Sequence, residues 1–238
     1  MATSLDALLP GDVILTAHNG FEWESLFIKI ANFSYTGLEN KDWTHSALYI
    51  GNGKVVEACT DGVKISDLKQ KYLDNNYQIL VLRHKNANEE SLKAAIEFCT
   101  AQAQKSDKYD WFGLVYFLLY NFIPIQIHFL LEDDFIGSWF HVANSYFCSE
   151  LVSTGFLNAN IYCFEDDPYK VMPVDFNNEL LFQKVTTLGE LPKQSKWYWV
   201  SYLLGSIICF ILTSIPIIIF GVVVSVEWAI KSLKKQKS

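Results

Sequence analysis

The sequence predicts an α+β domain with a small antiparallel sheet and flanking helices, for two reasons. Short apolar segments separated by turns are concentrated before residue 84, which is typical of strands that pair with their neighbours in sequence. Longer segments with apolar residues at helical spacing accompany them. Strands that cluster early, with helices beside them, are typical of an α+β architecture.

Four segments carry the strand pattern. The first follows the turn Pro10-Gly11-Asp12, and the second and third are joined through Gly51-Asn52-Gly53, which indicates a hairpin. All four are short and rich in apolar side chains: residues 13–16, 43–50, 54–58 and 78–83.

Three segments carry the helix pattern. Residues 21–33 have apolar side chains at helical positions. Asn88 is a favourable N-cap, and the apolar residues after it keep helical spacing, which predicts a helix that begins there. A third helix is predicted to begin near Cys148 and to run to about Thr154, where Gly155 can end it.

The C-terminal part of the chain predicts a single transmembrane helix. Residues 200–226 are almost entirely apolar or small and contain no charge, and a run longer than about 18 such residues is typical of a membrane span. Tryptophans lie on both sides of it, where an aromatic belt is expected. A buried core helix or a hairpin broken at Pro216 is the alternative.

The predicted organisation is therefore a globular domain over residues 1–190, a linker over 191–199, a transmembrane helix over 200–228 and a basic tail over 229–238. No signal peptide is evident, which predicts a single-pass membrane protein whose globular domain lies in the cytosol. Lysines after the span favour a cytoplasmic C-terminus instead, so the topology stays open.

The charge distribution indicates which classes of partner the protein can bind. The chain has a formal charge of −7, yet its last 48 residues contain six lysines and one glutamate, so the globular part is strongly acidic. An acidic domain argues against nucleic acid as a partner. The basic tail suits the anionic headgroups of a lipid bilayer.

A second apolar stretch covers residues 111–131 and is interrupted by Asn121, Pro124, Gln126 and His128. It is interpreted as a helical insert that packs on the core or covers its surface. One alternative is an interfacial hairpin that enters the bilayer beside the functional site. Another alternative is a true second membrane span.

The five cysteines form no CxxC pair, which argues against a zinc knuckle or a disulfide framework and favours a reducing compartment. The histidines other than His45 show no metal-ligand spacing. The sequence therefore predicts no metal and no cofactor.

One cysteine and one histidine stand out by their positions. Cys148 is predicted at a helix N-terminus, where the helix dipole lowers the pKa of a thiol and favours the nucleophilic thiolate. His45 is predicted near the start of a strand, where a general base is held rigidly. Together they are candidates for a nucleophile and its base, although buried thiols are most often inert.

Glu57 is a candidate for orienting His45, depending on the hairpin. A two-residue turn at Asn52-Gly53 would pair position 45 with 60 and put Glu57 on the opposite face. A three-residue loop, Gly51-Asn52-Gly53, pairs 45 with 59 and 47 with 57. Only that register makes His45 and Glu57 diagonal neighbours, about 7–8 Å apart at Cα.

Several motifs in one order resemble the circularly permuted papain-like cysteine amidases and peptidases. The resemblance is to the YiiX/YaeF-like branch of the NlpC-type superfamily, which is related to lecithin retinol acyltransferase. It covers roughly residues 9–157 and lies in the segments PGDVIL (10–15), WTHSALYIG (43–51), VVEA (55–58), Tyr109-Asp110 and YFCSELV (146–152).

The resemblance implies Cys148 as nucleophile, His45 as base and Glu57 as the polar third residue. It implies a structural or substrate-lining role for Tyr109 and Asp110, and Tyr49 and Tyr146 are further substrate-lining candidates.

Three functions are expected in order of preference. The first is a membrane-anchored thiol hydrolase that cleaves amide or ester bonds through an acyl-enzyme on Cys148, with a peptide amide as substrate. The second is a lipid-directed acyltransferase or phospholipase on the same fold, favoured by the anchor and the 111–131 insert. The third is a non-catalytic membrane protein that uses the fold for binding.

Overall fold

The computed structural model describes residues 5–18, 25, 28–29, 42–105, 108–110, 145–165 and 167–190. In these residues it is a mixed helix and sheet structure with an antiparallel sheet, so the predicted α+β class is confirmed. The apolar segments 111–131 and 200–228 lie outside the described residues, as does most of the helix predicted at 21–33. None of the helices in the described part is long and apolar enough to cross a bilayer.

Along the described chain four strands come first, and three helices then alternate with the remaining strands. They are β1 (Val13–Ala17), β2 (His45–Gly51), β3 (Lys54–Cys59), β4 (Gly62–Asp67), α1 (Leu68–Lys71), β5 (Gln78–His84), α2 (Glu89–Lys105), β6 (Lys108–Tyr109), β7 (Ser145–Tyr146), α3 (Cys148–Asn158) and β8 (Phe182–Leu188). Short 3₁₀ turns cover Leu5–Ala7, Leu73–Asn75, Pro168–Lys170 and Pro173–Asn177.

The main sheet has six strands in the order β4-β3-β2-β1-β5-β8, and each adjacent pair is antiparallel. A separate two-stranded parallel pair joins β6 and β7. The four predicted strands are present, whereas β4 and β8 were not predicted. Only the first two residues of β4 are buried, and the interior of β8 is mostly polar, so neither shows the apolar run expected of a strand.

The sheet separates two apolar clusters. On one side, Leu48 and Val56 pack with side chains from α2 and α3. On the other side, Ala47, Tyr49 and Val55 pack with residues that include Leu68 and Tyr72. Because strand side chains alternate between faces, the register of β2 and β3 decides which of their polar residues share a face.

Helix α3 continues past the glycine that was expected to end it. Gly155 lies inside the helix, which runs to Asn158, so the predicted end near Thr154 is wrong. A Cβ atom at Gly155 would lie 2.5 Å from the sulfur of Cys99 on α2. The glycine therefore permits close packing of two helices rather than a helix end.

Candidate active site

The hairpin between β2 and β3 sets the register of the site. Asn52 and Gly53 form a two-residue turn in which both residues have positive φ (53° and 71°), and Gly51 pairs with Lys54. The register then shifts between Tyr49 and Gly51 through a bulge on β2.

After the bulge, Tyr49 pairs with Val55 and Leu48 with Val56. This is the register that was expected from a three-residue loop, although a two-residue turn followed by a bulge produces it. Extended along the strands, it puts His45 and Glu57 on one face.

Glu57 contacts His45 directly. The Nε2 atom of His45 lies 2.7 Å from Oε2 of Glu57, whose side chain is completely buried. The hydroxyl of Tyr72 donates to the same carboxylate oxygen, and Nζ of Lys71 lies 2.6 Å from Oε1. Because Nε2 is held by Glu57, the imidazole has Nδ1 left for a second partner.

That second partner is the thiol of Cys148. Cys148 is the first residue of α3, and the extended Phe147 precedes it. The thiol makes a side-chain hydrogen bond with His45, and the backbone N–H groups of Ser46 and Ser149 face the sulfur. The structure thus brings Cys148, His45 and Glu57 into one array.

The start of α3 is anchored on both sides of the sulfur. The Glu150 carboxylate accepts a hydrogen bond from the backbone N–H of Phe147 at 3.2 Å. The Ser149 hydroxyl donates to the carbonyl of Val171 at 2.6 Å. The first contact satisfies the backbone N–H of Phe147 at the helix end, and both contacts fix the direction in which Cys148 points.

The electrostatics of the array favour an ion pair between sulfur and imidazole. Burial opposes charge on both groups, yet the hydrogen bonds to Cys148 and Glu57 raise the pKa of His45 well above its ordinary value. Burial likewise opposes the thiolate, but the hydrogen bond and charge of His45 lower the pKa of Cys148. A thiolate beside an imidazolium is the reactive form of a cysteine nucleophile.

Glu57 supplies the negative charge that stabilises the imidazolium. Burial opposes its ionisation, but the hydrogen bond and charge of His45, and then Lys71, hold the pKa of Glu57 well below its usual range. The carboxylate is therefore ionised at neutral pH and accepts hydrogen bonds from three side chains. A geometry of this kind orients an imidazole as the third member of a catalytic triad does.

A cleft of about 390 Å³ opens in front of Cys148 and His45. Hydroxyl and aromatic side chains dominate its wall, together with the ammonium groups of Lys64 and Lys71. The lining residues are Thr16, Ser25, Ile28, Thr44, His45, Ala58, Cys59, Thr60, Asp61, Lys64, Lys71, Tyr72, Tyr77, Tyr109 and Cys148.

Of the four substrate-lining candidates, Tyr109 lies in the cleft wall. The parallel β6–β7 pair places it opposite Tyr146, two residues before Cys148. Tyr146 packs edge-on against Phe98, and Asp110 is buried. Tyr49 is buried near the turn of the hairpin, where its hydroxyl accepts from the backbone N–H of Gly53 at 3.0 Å, and it is not one of the residues that line the cleft.

No family model matches the chain, and a search of the curated proteins finds no matching relative. The functional interpretation therefore depends on the side-chain geometry.

Three residues of the site were not predicted: Cys59, Lys71 and Tyr72. Cys59 belongs to β3, and its sulfur lies 3.0 Å from Nζ of Lys71. The signal for Cys59 was present in the sequence, because the expected register already paired position 59 with His45. Lys71 and Tyr72 reach Glu57 from α1 and the residue after it, and no pattern in the sequence indicates that contact.

The other thiols of the described chain differ from Cys148. Burial raises the pKa of Cys99 and of Cys163 to about 12, which keeps both protonated at neutral pH. Burial raises the pKa of Cys59 as well. Cys148 is the cysteine in this part of the chain whose pKa is lowered.

Proposed function

We propose that the protein is a cysteine-nucleophile acyl hydrolase with a permuted papain-like domain, in which Cys148 forms an acyl-enzyme on an amide or ester substrate. The observation that carries this proposal is the array in which the Cys148 thiol contacts the His45 imidazole and Nε2 of that imidazole lies 2.7 Å from Glu57. A nucleophile, a base and a group that orients the base are the parts that thiol-dependent acyl transfer needs.

The reaction begins when the Cys148 thiolate attacks the substrate carbonyl and forms a C–S bond. The backbone N–H of Cys148 has no partner within its helix and stabilises the resulting oxyanion. The tetrahedral intermediate collapses as His45 donates its proton to the leaving amine or alcohol. Water, or an acceptor amine or alcohol, then gives a proton back to His45 as it attacks the thioester and releases the acyl group.

Glu57 orients His45 through both steps. Its carboxylate accepts from Nε2, which keeps Nδ1 directed at the sulfur and stabilises the imidazolium. Lys71 and Tyr72 donate hydrogen bonds to the same carboxylate and hold it in place.

The proposed setting is a membrane surface. Residues 200–228 are long and apolar enough in sequence to form a bilayer span, and a basic tail follows them. In this proposal the C-terminal segment tethers the protein to the bilayer, and the acyl hydrolase domain lies in the cytosol.

The proposal predicts selective alkylation of one thiol. We expect iodoacetamide at pH 7 to label Cys148 in the full-length protein, and Cys148→Ala to abolish that labelling, because its thiolate is stabilised by His45. Peptide mapping by mass spectrometry measures the adduct. Cys163→Ala is the matched control and should label like the wild type; equal labelling of wild type and Cys148→Ala would refute the proposal.

A lipid-directed activity is the second candidate, and one observation favours it. The β6–β7 pair holds residues 109 and 145–146 side by side, with Tyr109 in the cleft wall and Tyr146 close to Cys148. The described residues on either side of the segment 111–144, Tyr109 and Tyr146, are therefore paired with each other, and Tyr109 lies in the cleft wall. The sequence between them includes the apolar stretch 111–131, and an apolar stretch in that part of the chain suits a substrate with an acyl chain.

The two substrate classes predict different covalent intermediates. With phosphatidylcholine vesicles, a lipid-directed enzyme should accumulate a fatty-acyl thioester on Cys148, detected as a mass increase that hydroxylamine removes. With acylated peptide amides, a peptide-directed enzyme should release the amine and form a peptidyl adduct instead. A lipid adduct on wild type but not on Cys148→Ala would exclude a strict peptidase, and a peptidyl adduct alone would exclude the lipid-directed candidate.

A further inference from the structure

Three side chains of different chemistry converge at the inner end of the cleft. The ligand atoms of His45, Glu57 and Cys59 all lie within 4.8 Å of one another. We propose that these residues form an inhibitory site for a thiophilic divalent cation such as Zn²⁺. The inhibitory role of the site rests on the proposed function, whereas the binding of the cation does not depend on it.

The ligand set fits zinc by type and by number. Zn²⁺ binds imidazole nitrogen, carboxylate oxygen and thiolate sulfur, and sites with three protein ligands keep a fourth position for water. His45 and Cys59 both line the cleft, so the cation can enter from solvent. Glu57 lies behind them and is completely buried, and its charge compensates that of the cation.

The cluster already holds a cation. Nζ of Lys71 lies 2.6 Å from Oε1 of Glu57 and 3.0 Å from the sulfur of Cys59, so an ammonium group contacts two of the three ligands. The Lys71 side chain is 31% exposed and can turn into solvent when it is displaced. Zn²⁺ would replace this ammonium and the proton of the Cys59 thiol.

Metal binding at this point would disable His45 as a base. An imidazole that binds zinc through Nε2 keeps its proton on Nδ1, the nitrogen directed at Cys148. It can then no longer accept the proton of the Cys148 thiol or form an imidazolium. The metal would also take Glu57 away from its contact with His45.

The test measures metal binding and thiol reactivity separately on the full-length protein in detergent. Co²⁺, used as a spectroscopic substitute for Zn²⁺, should give a sulfur-to-cobalt charge-transfer band with the wild type and with Cys148→Ala. Cys59→Ser should lose the band. Lys71→Met should bind Zn²⁺ roughly tenfold more tightly in competition with a chromophoric chelator, because the competing ammonium is absent.

Zinc should also slow the alkylation of Cys148 in the wild type and not in Cys59→Ser. A cobalt band that persists in Cys59→Ser and disappears in Cys148→Ala would overturn the assignment, as would the failure of both wild type and Lys71→Met to bind metal. Failure of the proposed function has a different signature: Cys148 would be unreactive without metal, while the cobalt band would still depend on Cys59.

Discussion

Replacing His45 by glutamine should slow alkylation of Cys148 at pH 6 by roughly two orders of magnitude or more. In the wild type the imidazolium lowers the pKa of the Cys148 thiol, so thiolate persists below the ordinary thiol pKa of about 8.5. Without His45, only the backbone N–H groups of Ser46 and Ser149 oppose burial, which is the largest influence on the thiol and raises its pKa, and the thiolate forms mainly at higher pH. The rate of iodoacetamide labelling between pH 5 and pH 10 measures the effect.

Other groups that face His45 also influence the pH dependence of Cys148 labelling. Cys148 comes from α3, Glu57 and Cys59 from β3, and the Tyr72 ring lies 6.2 Å away between centroids. His84→Gln is the matched control, because His84 lies at the end of β5 against Phe156 and Phe182. Superimposable pH profiles for wild type and His45→Gln would show that the imidazole does not activate the thiol.

Replacing Glu57 by alanine should cost both stability and activity. The substitution leaves His45, Lys71 and Tyr72 without their common partner, and removal of one member of a buried ion pair typically lowers the free energy of unfolding by about 3–5 kcal/mol. Loss of the group that orients a catalytic histidine lowers kcat by roughly 10⁴-fold. Urea denaturation followed by circular dichroism and the rate of acyl-enzyme formation measure the two effects.

The Glu57 contribution to stability should depend on pH in a defined direction. Its pKa in the folded protein is well below its usual range, so its contribution is complete above the unfolded-state pKa of about 4.3. The contribution is lost progressively as the pH falls below that value. The difference in unfolding free energy between wild type and Glu57→Ala should therefore shrink under acid conditions.

Two further variants separate orientation from general destabilisation. Glu57→Gln keeps the shape of the side chain and should recover part of the stability but little of the activity, because it cannot stabilise the imidazolium. Glu97→Ala removes a carboxylate that is 68% exposed on α2 and should change the unfolding free energy by less than about 0.5 kcal/mol. A Glu57→Gln variant with wild-type activity would argue against the triad.

The parts of the site that sequence predicts best are those encoded over short distances. The position of Cys148 at a helix start follows from a few neighbouring residues, and the Asn88 cap is equally local, since its Oδ1 accepts from the backbone N–H of Ser91 at 2.8 Å. The relation of His45 to Glu57 was predicted as a choice between two registers. The observed register is one of those two, but the bulge that produces it has no clear sequence signal.

Contacts between residues that are distant in the sequence could not be predicted from local patterns. Lys71 and Tyr72 reach Glu57 only because β4 leads the chain back past β3 and into α1. Strand β8 pairs with β5 about a hundred residues earlier in the chain, and its own pattern is mostly polar. Such contacts depend on tertiary packing, which overrides the local preferences that a sequence pattern reports.

The bulge in β2 makes the site unequally sensitive to changes in chain length. Ile50 is the extra residue, so a chain that lacked it would form an ordinary two-residue hairpin and still pair position 47 with 57. Deletion of one residue from β3 before Glu57, with the bulge retained, would instead set Glu57 opposite Leu48 and turn its carboxylate toward the helices. Length variation among natural homologues should therefore be tolerated at position 50 and be absent between Lys54 and Glu57.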